Sequence, residues 1–208
     1  LAVKGIRELV NWQRVDGVLS SPVPAFNYSA ELPSQMLAAL GWYGFHAQYF
    51  YSGDDSFVPV VYDRMKKYLH EVWRLDENGI PVYRTGDWDW PDADSPVDQL
   101  ALMPCLYYLA LKGELEFARL LGKTGDVAMI SSVMERLKDS YNRLYWTGEG
   151  YRSPSYRDRT DDRPQAMAVL AGIASEDKYP AIARVLKTTD MASTYMEKYM
   201  VEALFVLG

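Results

Sequence analysis

The segment Gly86–Asp94, GDWDWPDAD, has the densest group of chemically capable side chains in this sequence. It places four aspartates and two tryptophans within nine residues. Indole faces pack against the apolar face of a sugar ring, and carboxylates accept hydrogen bonds from its hydroxyl groups. A pair of carboxyl groups, one protonated and one ionised, also hydrolyses glycosidic bonds. The segment therefore predicts a carbohydrate site, and the alternative is a solvated acidic loop whose tryptophans pack on the helices below.

A second polar segment, Tyr151–Gln165, reads YRSPSYRDRTDDRPQ. Its aspartates and arginines could take part in a site. They also fit a helix start, in which Asp161 or Asp162 is the N-cap and Pro164 lies in the first turn. In that interpretation the arginines form local ion pairs.

Two acidic positions precede or open apolar helices. Asn27–Glu31 leads into the first of these helices, and we expect Glu31 to be a first-turn or capping acid. Tyr195 and Glu197 open the last one, where Glu197 would complement the helix dipole. Both segments could border a site at the helix ends.

No pattern in the sequence indicates a metal or a cofactor. His46 and His70 are the only histidines, and neither HxxxH nor CxxC spacing accompanies them. Cys105 lies in an apolar run and is expected to be a small core residue. Gly122–Thr124 lacks the upstream glycine of a phosphate-binding loop. We therefore expect no metal site and no cofactor.

Composition limits the class of protein further. The chain has 208 residues, of which 49% are hydrophobic, so it can bury a core and is treated as one domain over 1–208. Its 22 basic and 28 acidic residues give a net charge of −6, which disfavours nucleic acid as a partner. No apolar run reaches about 18 residues, so no membrane span is expected. No secretory signal is visible, and the chain begins and ends within regular structure, as a piece of a longer parent protein would.

Hydrophobic periodicity predicts an all-α fold of about eight helices, which are of two alternating kinds. Helices that are apolar nearly all round are predicted at 32–52, 97–121, 164–174 and 191–207. Amphipathic helices are predicted at about 2–10, 56–75, 126–141 and 179–186. Asp54 or Asp55 is expected to cap the second amphipathic helix and Asp126 the third, and Pro104 could kink the helix that contains it.

The alternation predicts two concentric layers, with apolar helices inside and amphipathic helices outside. A ring of six helical hairpins has this layering but needs about twelve helices, so the chain would supply about four hairpins with two exposed edges. The long connections at 15–31, 76–96, 145–163 and 188–192 all lead from an amphipathic helix to an apolar one. They should therefore meet at one end of the inner ring, where a site is expected.

With these segments in place, the chain from about Glu31 to Gly208 resembles the catalytic barrel of bacterial α-L-rhamnosidases, glycoside hydrolase family 78. The resemblance rests on these pieces, in order: ELPSQMLAALGWYGFHAQYFYSGD, RTGDWDWPDAD, ALKGELEFARLLGKTGD, DDRPQAMAVLAGIA and STYMEKYMVEALFVLG. It implies an incomplete (α/α)6 six-hairpin barrel. It also implies that the parent enzyme hydrolyses terminal α-L-rhamnosides with inversion.

The resemblance also implies where the substrate binds. Asp87, Trp88 and Trp90 match the sugar-binding loop of the family and would line the rhamnose pocket, and Tyr195 would lie at its mouth by topology. The family motifs that carry the general acid and the general base are absent from these 208 residues, so no catalytic residue is named. The remainder of the parent chain would supply both groups. The protein would be bacterial, with a periplasmic or secreted location favoured over a cytoplasmic one.

A second class of function stays open at this point. The same sequence could belong to a non-catalytic carbohydrate-binding protein or to a helical scaffold protein. The first would bind sugar without turnover, and the second would bind a partner.

Overall fold

The computed structural model describes residues 1–25, 30–93 and 96–208, and in these ranges the chain is helical, with only isolated β-bridges. This confirms the predicted all-α class. Two π-helical turns, Trp42–His46 and Tyr68–Val72, and one 3-10 turn, Glu176–Lys178, accompany the α-helices. The α-helices are α1 (Ala2–Asn11), α2 (Pro33–Leu40), α3 (Ala47–Ser52), α4 (Val58–Lys67), α5 (Gln99–Leu120), α6 (Thr124–Tyr145), α7 (Asp162–Ala171), α8 (Tyr179–Thr188) and α9 (Thr194–Leu207).

The helices form the two predicted layers. In the inner layer α2 packs on α5, α5 on α7, and α7 on α9, while α1, α4, α6 and α8 lie outside. Every residue of α7 is buried, whereas α6 buries a stripe that contains Ile130, Met134, Leu137 and Tyr141. The stripe has the spacing of one helix face, so burial follows the apolar pattern of each helix. Across the described ranges, we find no helix with the length and apolar character needed to cross a membrane.

Among the described helices, α9 and α3 carry the most exposed large apolar side chains. The helix α9 buries Met196 and Tyr199 on one side but exposes Phe205 to 83%. At the end of α3, Phe50 and Tyr51 are exposed as well. The fully apolar helix predicted at 191–207 is therefore covered on one side only, and these surfaces correspond to the expected edges of a partial ring.

The single helix predicted at 32–52 is wrong, because the chain breaks at Gly41. This glycine has extended backbone angles, and α2 ends before it. A Cβ atom at Gly41 would lie 2.9 Å from the carbonyl oxygen of Leu37 and 3.2 Å from the backbone nitrogen of Ala110 in α5. On the facing helix, a Cβ at Gly113 would lie 3.1 Å from the carbonyl carbon of Gly41. The two glycines thus allow the backbones of neighbouring inner segments to touch.

The predicted cap of the second amphipathic helix is also wrong. Phe57, and neither Asp54 nor Asp55, is the N-cap of α4. The Asp54 carboxylate instead accepts a hydrogen bond from the backbone N–H of Ser56 at 2.9 Å. The aspartate therefore forms a turn just before the helix.

Asp126 does not cap α6 either, since Lys123 is its N-cap. Asp126 lies in the first turn and accepts hydrogen bonds from Tyr62 Oη at 2.8 Å and Lys66 Nζ at 2.7 Å. These two bonds, that of Lys66 foremost, lower the pKa of Asp126. The side chain connects α6 to α4 in the outer layer, which local sequence does not reveal.

Other helix boundaries differ by a few residues. The helix α5 begins after the N-cap Asp98 and continues through Pro104 as a single α-helix. The sequence offers Asp161 or Asp162 as the N-cap of α7, and the structure has Asp161 in that position. Ser193 caps α9, so this helix begins three residues later than the predicted start at 191. The caps place these N-termini at the end of the fold where the long connections meet.

Candidate functional site

The long connections lie at one end of the inner helices, as predicted, and their side chains are hydrogen-bonded to one another. Arg84 of the second connection donates to both carboxylate oxygens of Glu31 of the first, at 2.6 and 2.8 Å. Asp92, also in the second connection, accepts from Arg163 at the start of α7 and from the backbone N–H of Ser193, both at 2.9 Å. The four connections therefore form one continuous surface.

Glu31 has a different role from the capping acid that the sequence predicts. Leu32 is the N-cap of α2, and no side chain caps that helix. Glu31 is buried and paired with Arg84, which lies 53 residues away in the chain. Because an unpaired buried carboxylate is costly, Arg84 is the partner that allows this position. The segment 26–29, which contains Asn27, lies outside the described residues.

The loop that carries the tryptophans lies directly against the chain before α2. Gly86 has a positive φ of 55°, and a Cβ there would lie 2.6 Å from the carbonyl oxygen of Glu31. That oxygen accepts hydrogen bonds from the backbone N–H groups of Asp87 and Trp88, and the Asp87 carboxylate accepts from the Glu31 N–H at 2.8 Å. Glycine is required here by both the close approach and the left-handed backbone.

The next residues of the loop are fixed to the first turn of α2. Asp89 accepts a hydrogen bond from the backbone N–H of Ser34 at 2.9 Å and another from Tyr83 Oη at 3.2 Å. Burial, together with the negative charge of Asp89, raises the pKa of Tyr83 to about 12. The Gln35 side-chain amide donates to the carbonyl oxygen of Trp90. These contacts hold the Trp90 backbone over α2.

A cavity of about 110 Å³ lies between this loop and the N-terminal turns of the inner helices. Trp90 and Tyr195, both predicted from the sequence, lie on its wall, and burial raises the pKa of Tyr195. Its lining comprises Ser34, Gln35 and Ala38 of α2, Trp90 and Pro91 of the loop, Leu106 of α5, and Tyr195, Met196 and Tyr199 of α9. Most of these side chains are apolar or aromatic, as in small-molecule sites.

The other two predicted residues, Trp88 and Asp87, are not among the residues that line this cavity. The Trp88 ring stacks on the Trp90 ring at a centroid distance of 6.2 Å and an interplanar angle of 18°, and Trp88 is 61% exposed. Asp87 lies instead in a wider polar groove of about 530 Å³. The groove is lined by Arg14, Asp16, Val18, Glu31, Tyr83, Arg84, Thr85, Gly86 and Asp87.

A buried ionic network supports the loop and the start of α9. Arg163 is fully buried and donates to Asp161 at 2.8 Å and to Asp92 at 2.9 Å. The sequence predicts local pairing only, which holds for Asp161 but misses Asp92, 71 residues away. Burial raises the pKa of Asp162, the neighbouring first residue of α7. Asp94, the last residue of the acidic loop, lies outside the described residues.

Sequence reasoning missed the two polar residues of α2 in the cavity wall, Ser34 and Gln35. Ser34 follows Pro33, so its position resembles an ordinary helix start. The sequence signal that was missed is Pro33, because a proline marks the first turn of a helix. Leu32 then falls at the cap, as the structure has it, and the Ser34 hydroxyl has no capping role. Nothing local to the sequence indicates that the turn faces Tyr195.

Other chemically capable residues lie away from the cavity. Cys105 is buried, as predicted, and burial raises its pKa to about 12. His70 contacts the buried Glu114 at 2.8 Å between Nε2 and Oε2. Among the residues of 1–25, 30–93 and 96–208, no three potential metal ligands lie together.

Three solved structures with a similar fold are described as rhamnosidases. The chain is similar to a rhamnosidase from Klebsiella oxytoca with rhamnose bound (TM-score 0.78, 17% identity, 98% of this chain and 42% of that chain). It is also similar to an α-L-rhamnosidase from Dictyoglumus thermophilum (0.78, 21%, 99% and 24%). A third is a family GH78 rhamnosidase of Bacillus sp. GL1 (0.79, 18%, 98% and 22%). The chain thus spans less than half the length of these proteins.

The family is shown by sequence. No curated protein matches the chain. The model of the bacterial alpha-L-rhamnosidase 6 hairpin glycosidase domain, however, matches residues 1–199, which is nearly the whole sequence. This chain therefore belongs to the family of bacterial α-L-rhamnosidase six-hairpin glycosidase domains.

Proposed function

We propose that this chain forms the sugar-binding part of an inverting α-L-rhamnosidase, which removes terminal rhamnosyl groups from glycosides. The observation that carries the proposal is the cavity at the convergence of the connections, which Trp90 and Tyr195 both line. The membership of this chain in a family of rhamnosidase domains supports rhamnose as the sugar. One of the similar structures, that from Klebsiella oxytoca, is described with rhamnose bound.

The chemistry of the cavity suits a 6-deoxy sugar. Rhamnose has hydroxyl groups on part of its ring and a methyl group in place of a hydroxymethyl group. An apolar wall that includes Ala38, Leu106 and Met196 would accept the methyl group, whereas a hydroxyl there would lose its hydrogen bonds to water. The Trp90 ring offers a flat face to the apolar side of the sugar.

The three loop aspartates that the structure describes are already used as structural hydrogen-bond acceptors. Asp87 accepts from the Glu31 N–H, Asp89 from the Ser34 N–H, and Asp92 from the Ser193 N–H. Inverting hydrolysis needs one carboxyl group as acid and another as base on opposite sides of the sugar. We therefore assign neither role to these aspartates and propose that both groups come from the remainder of the parent protein.

The proposal is tested with an aryl α-L-rhamnoside, assayed with the parent protein and with the 208-residue chain, and with L-rhamnose binding to each. We expect hydrolysis by the parent with inversion at the anomeric carbon, and no hydrolysis by the chain alone. Trp90→Ala should weaken binding of L-rhamnose by the parent at least about tenfold, because the ring loses its stacking surface. Trp12→Ala, which removes an exposed indole in another part of the chain, is the matched control.

Each contrary outcome would refute one part of the proposed function. Turnover by the 208-residue chain alone would show that the placement of the acid and base is wrong. Rhamnose binding by a parent protein that hydrolyses no rhamnoside would favour the non-catalytic carbohydrate-binding alternative. Absence of rhamnose binding by the parent would contradict the proposed substrate.

A further inference from the structure

Two polar atoms at the cavity wall lack hydrogen-bond partners among the described residues. Ser34 is only 2% exposed, and its Oγ atom has no partner. The Oε1 atom of Gln35 has none either, although the amide nitrogen of the same side chain donates to Trp90. Buried polar atoms in native proteins are nearly always paired, so each exception requires an explanation.

The Ser34 hydroxyl has no evident structural role in the helix. Its backbone N–H is bonded to Asp89, and α2 has no side-chain cap. Ala38, one turn later on the same helix face, lines the same cavity with a methyl group. The described residues therefore give this hydroxyl no hydrogen bond, and a hydroxyl group of a ligand in the cavity would supply one.

We propose that Ser34 Oγ binds a hydroxyl group of the sugar, and that Gln35 Oε1 accepts a hydrogen bond from a neighbouring one. A serine hydroxyl can donate one bond and accept others, whereas the Gln35 oxygen can only accept. The two atoms belong to residues in the α2 part of a lining that also contains the apolar side chains of Ala38, Leu106 and Met196. A sugar that carries both hydroxyl groups and an apolar substituent could use both kinds of contact. This inference rests on the proposed function and adds the residues that read the sugar.

Ser34→Ala tests the proposal, and Ser153→Ala is its matched control. Ser153 is 1% exposed and its Oγ is also unpartnered, but Ser153 does not line the cavity. Both variants remove one buried oxygen atom. Binding of L-rhamnose and of its 2-, 3- and 4-deoxy analogues to the parent protein is measured by calorimetry, with thermal denaturation as a check on folding.

We expect Ser34→Ala to weaken L-rhamnose binding about 5- to 10-fold, the loss of one ligand hydrogen bond. Ser153→Ala should bind within about twofold of the unchanged protein. One deoxy analogue should bind equally to the unchanged protein and to Ser34→Ala, because the bond that the variant lacks is already absent from that analogue.

These measurements distinguish a wrong assignment of Ser34 from a wrong proposed function. If the unchanged protein binds no L-rhamnose, the proposed function itself is wrong. If it binds L-rhamnose and Ser34→Ala binds it equally well, only the assignment of Ser34 is wrong. Equal losses in the two serine variants would likewise overturn the assignment, since Ser153 lies outside the cavity.

Discussion

Replacing Arg163 by leucine should strongly destabilise the protein and disturb the cavity. The guanidinium group is fully buried and donates to Asp161 at 2.8 Å, to Asp92 at 2.9 Å and to the carbonyl oxygen of Pro96 at 3.0 Å. Burial opposes its charge, but the hydrogen bonds and charges of Asp161 and Asp92 outweigh this effect and raise the pKa of Arg163. The variant would leave two buried carboxylates without their cation.

The magnitude follows from the burial of both partners. The Arg163 and Asp92 side chains are each 0% exposed, and removing one partner of such a pair typically costs about 3–5 kcal/mol. For a domain of this size, 1 kcal/mol shifts the melting temperature by roughly 2–4 °C, so a decrease of about 6–20 °C is expected. Asp92 also binds the N-cap of α9, Ser193, so the distance between Trp90 and Tyr195 should become less well fixed.

Urea denaturation and L-rhamnose calorimetry measure the two effects. Arg159→Leu is the matched control, because Arg159 pairs with Asp190 at 3.3 Å on the surface, with both side chains mostly exposed. A surface pair of this kind contributes little. If Arg163→Leu unfolds at the same urea concentration as Arg159→Leu, the buried network does not support the site as we describe.

Two further predictions concern the fold. Burial lowers the pKa of His46, which stacks on Trp42 at 3.9 Å, so below about pH 6.5 the unfolded chain takes up a proton more readily than the folded one. The free energy of unfolding should therefore fall as pH decreases from 7 to 5, by up to about 1.4 kcal/mol per pH unit, and His46→Phe should reduce this dependence. If the free energy of unfolding depends on pH equally in His46→Phe and in the unchanged protein, this prediction is wrong. Gly41→Ala should lower the free energy of unfolding by about 1–3 kcal/mol, because the new methyl group meets backbone atoms. Gly125→Ala in α6, where no atom lies within 4 Å of an added Cβ, should leave the free energy of unfolding unchanged or raise it by about 0.5–1 kcal/mol. If urea denaturation shows the same change for both glycine variants, the close packing at Gly41 is refuted.

The layering of the helices could be predicted from sequence because it depends on local composition. A stripe such as Ile130, Met134, Leu137 and Tyr141 defines an outer helix, and the lack of any polar face defines an inner one. The convergence of the long connections follows from the alternation of amphipathic and apolar helices, because each connection leads from an amphipathic helix to an apolar one. The break at Gly41 could not be predicted, because its cause is contact with the backbone of α5, about 70 residues further along the chain.

The candidate site was predictable only in part, for the same reason. Trp90 belongs to a conspicuous acidic and aromatic segment, and Tyr195 opens a predicted helix. The role of Ser34, by contrast, depends on which helices surround it. The sequence suggests a local role for Glu31 and for Arg163, but their partners lie 53 and 71 residues away. Such partners become visible only when the connections are brought together.

A crystal structure of the parent protein with L-rhamnose would show directly where the sugar binds. We predict that the sugar occupies the cavity between Trp90 and Tyr195, with one of its hydroxyl groups within hydrogen-bond distance of Ser34 Oγ. Ordered rhamnose in the polar groove beside Arg84 and Asp87, with the cavity left without sugar, would contradict it.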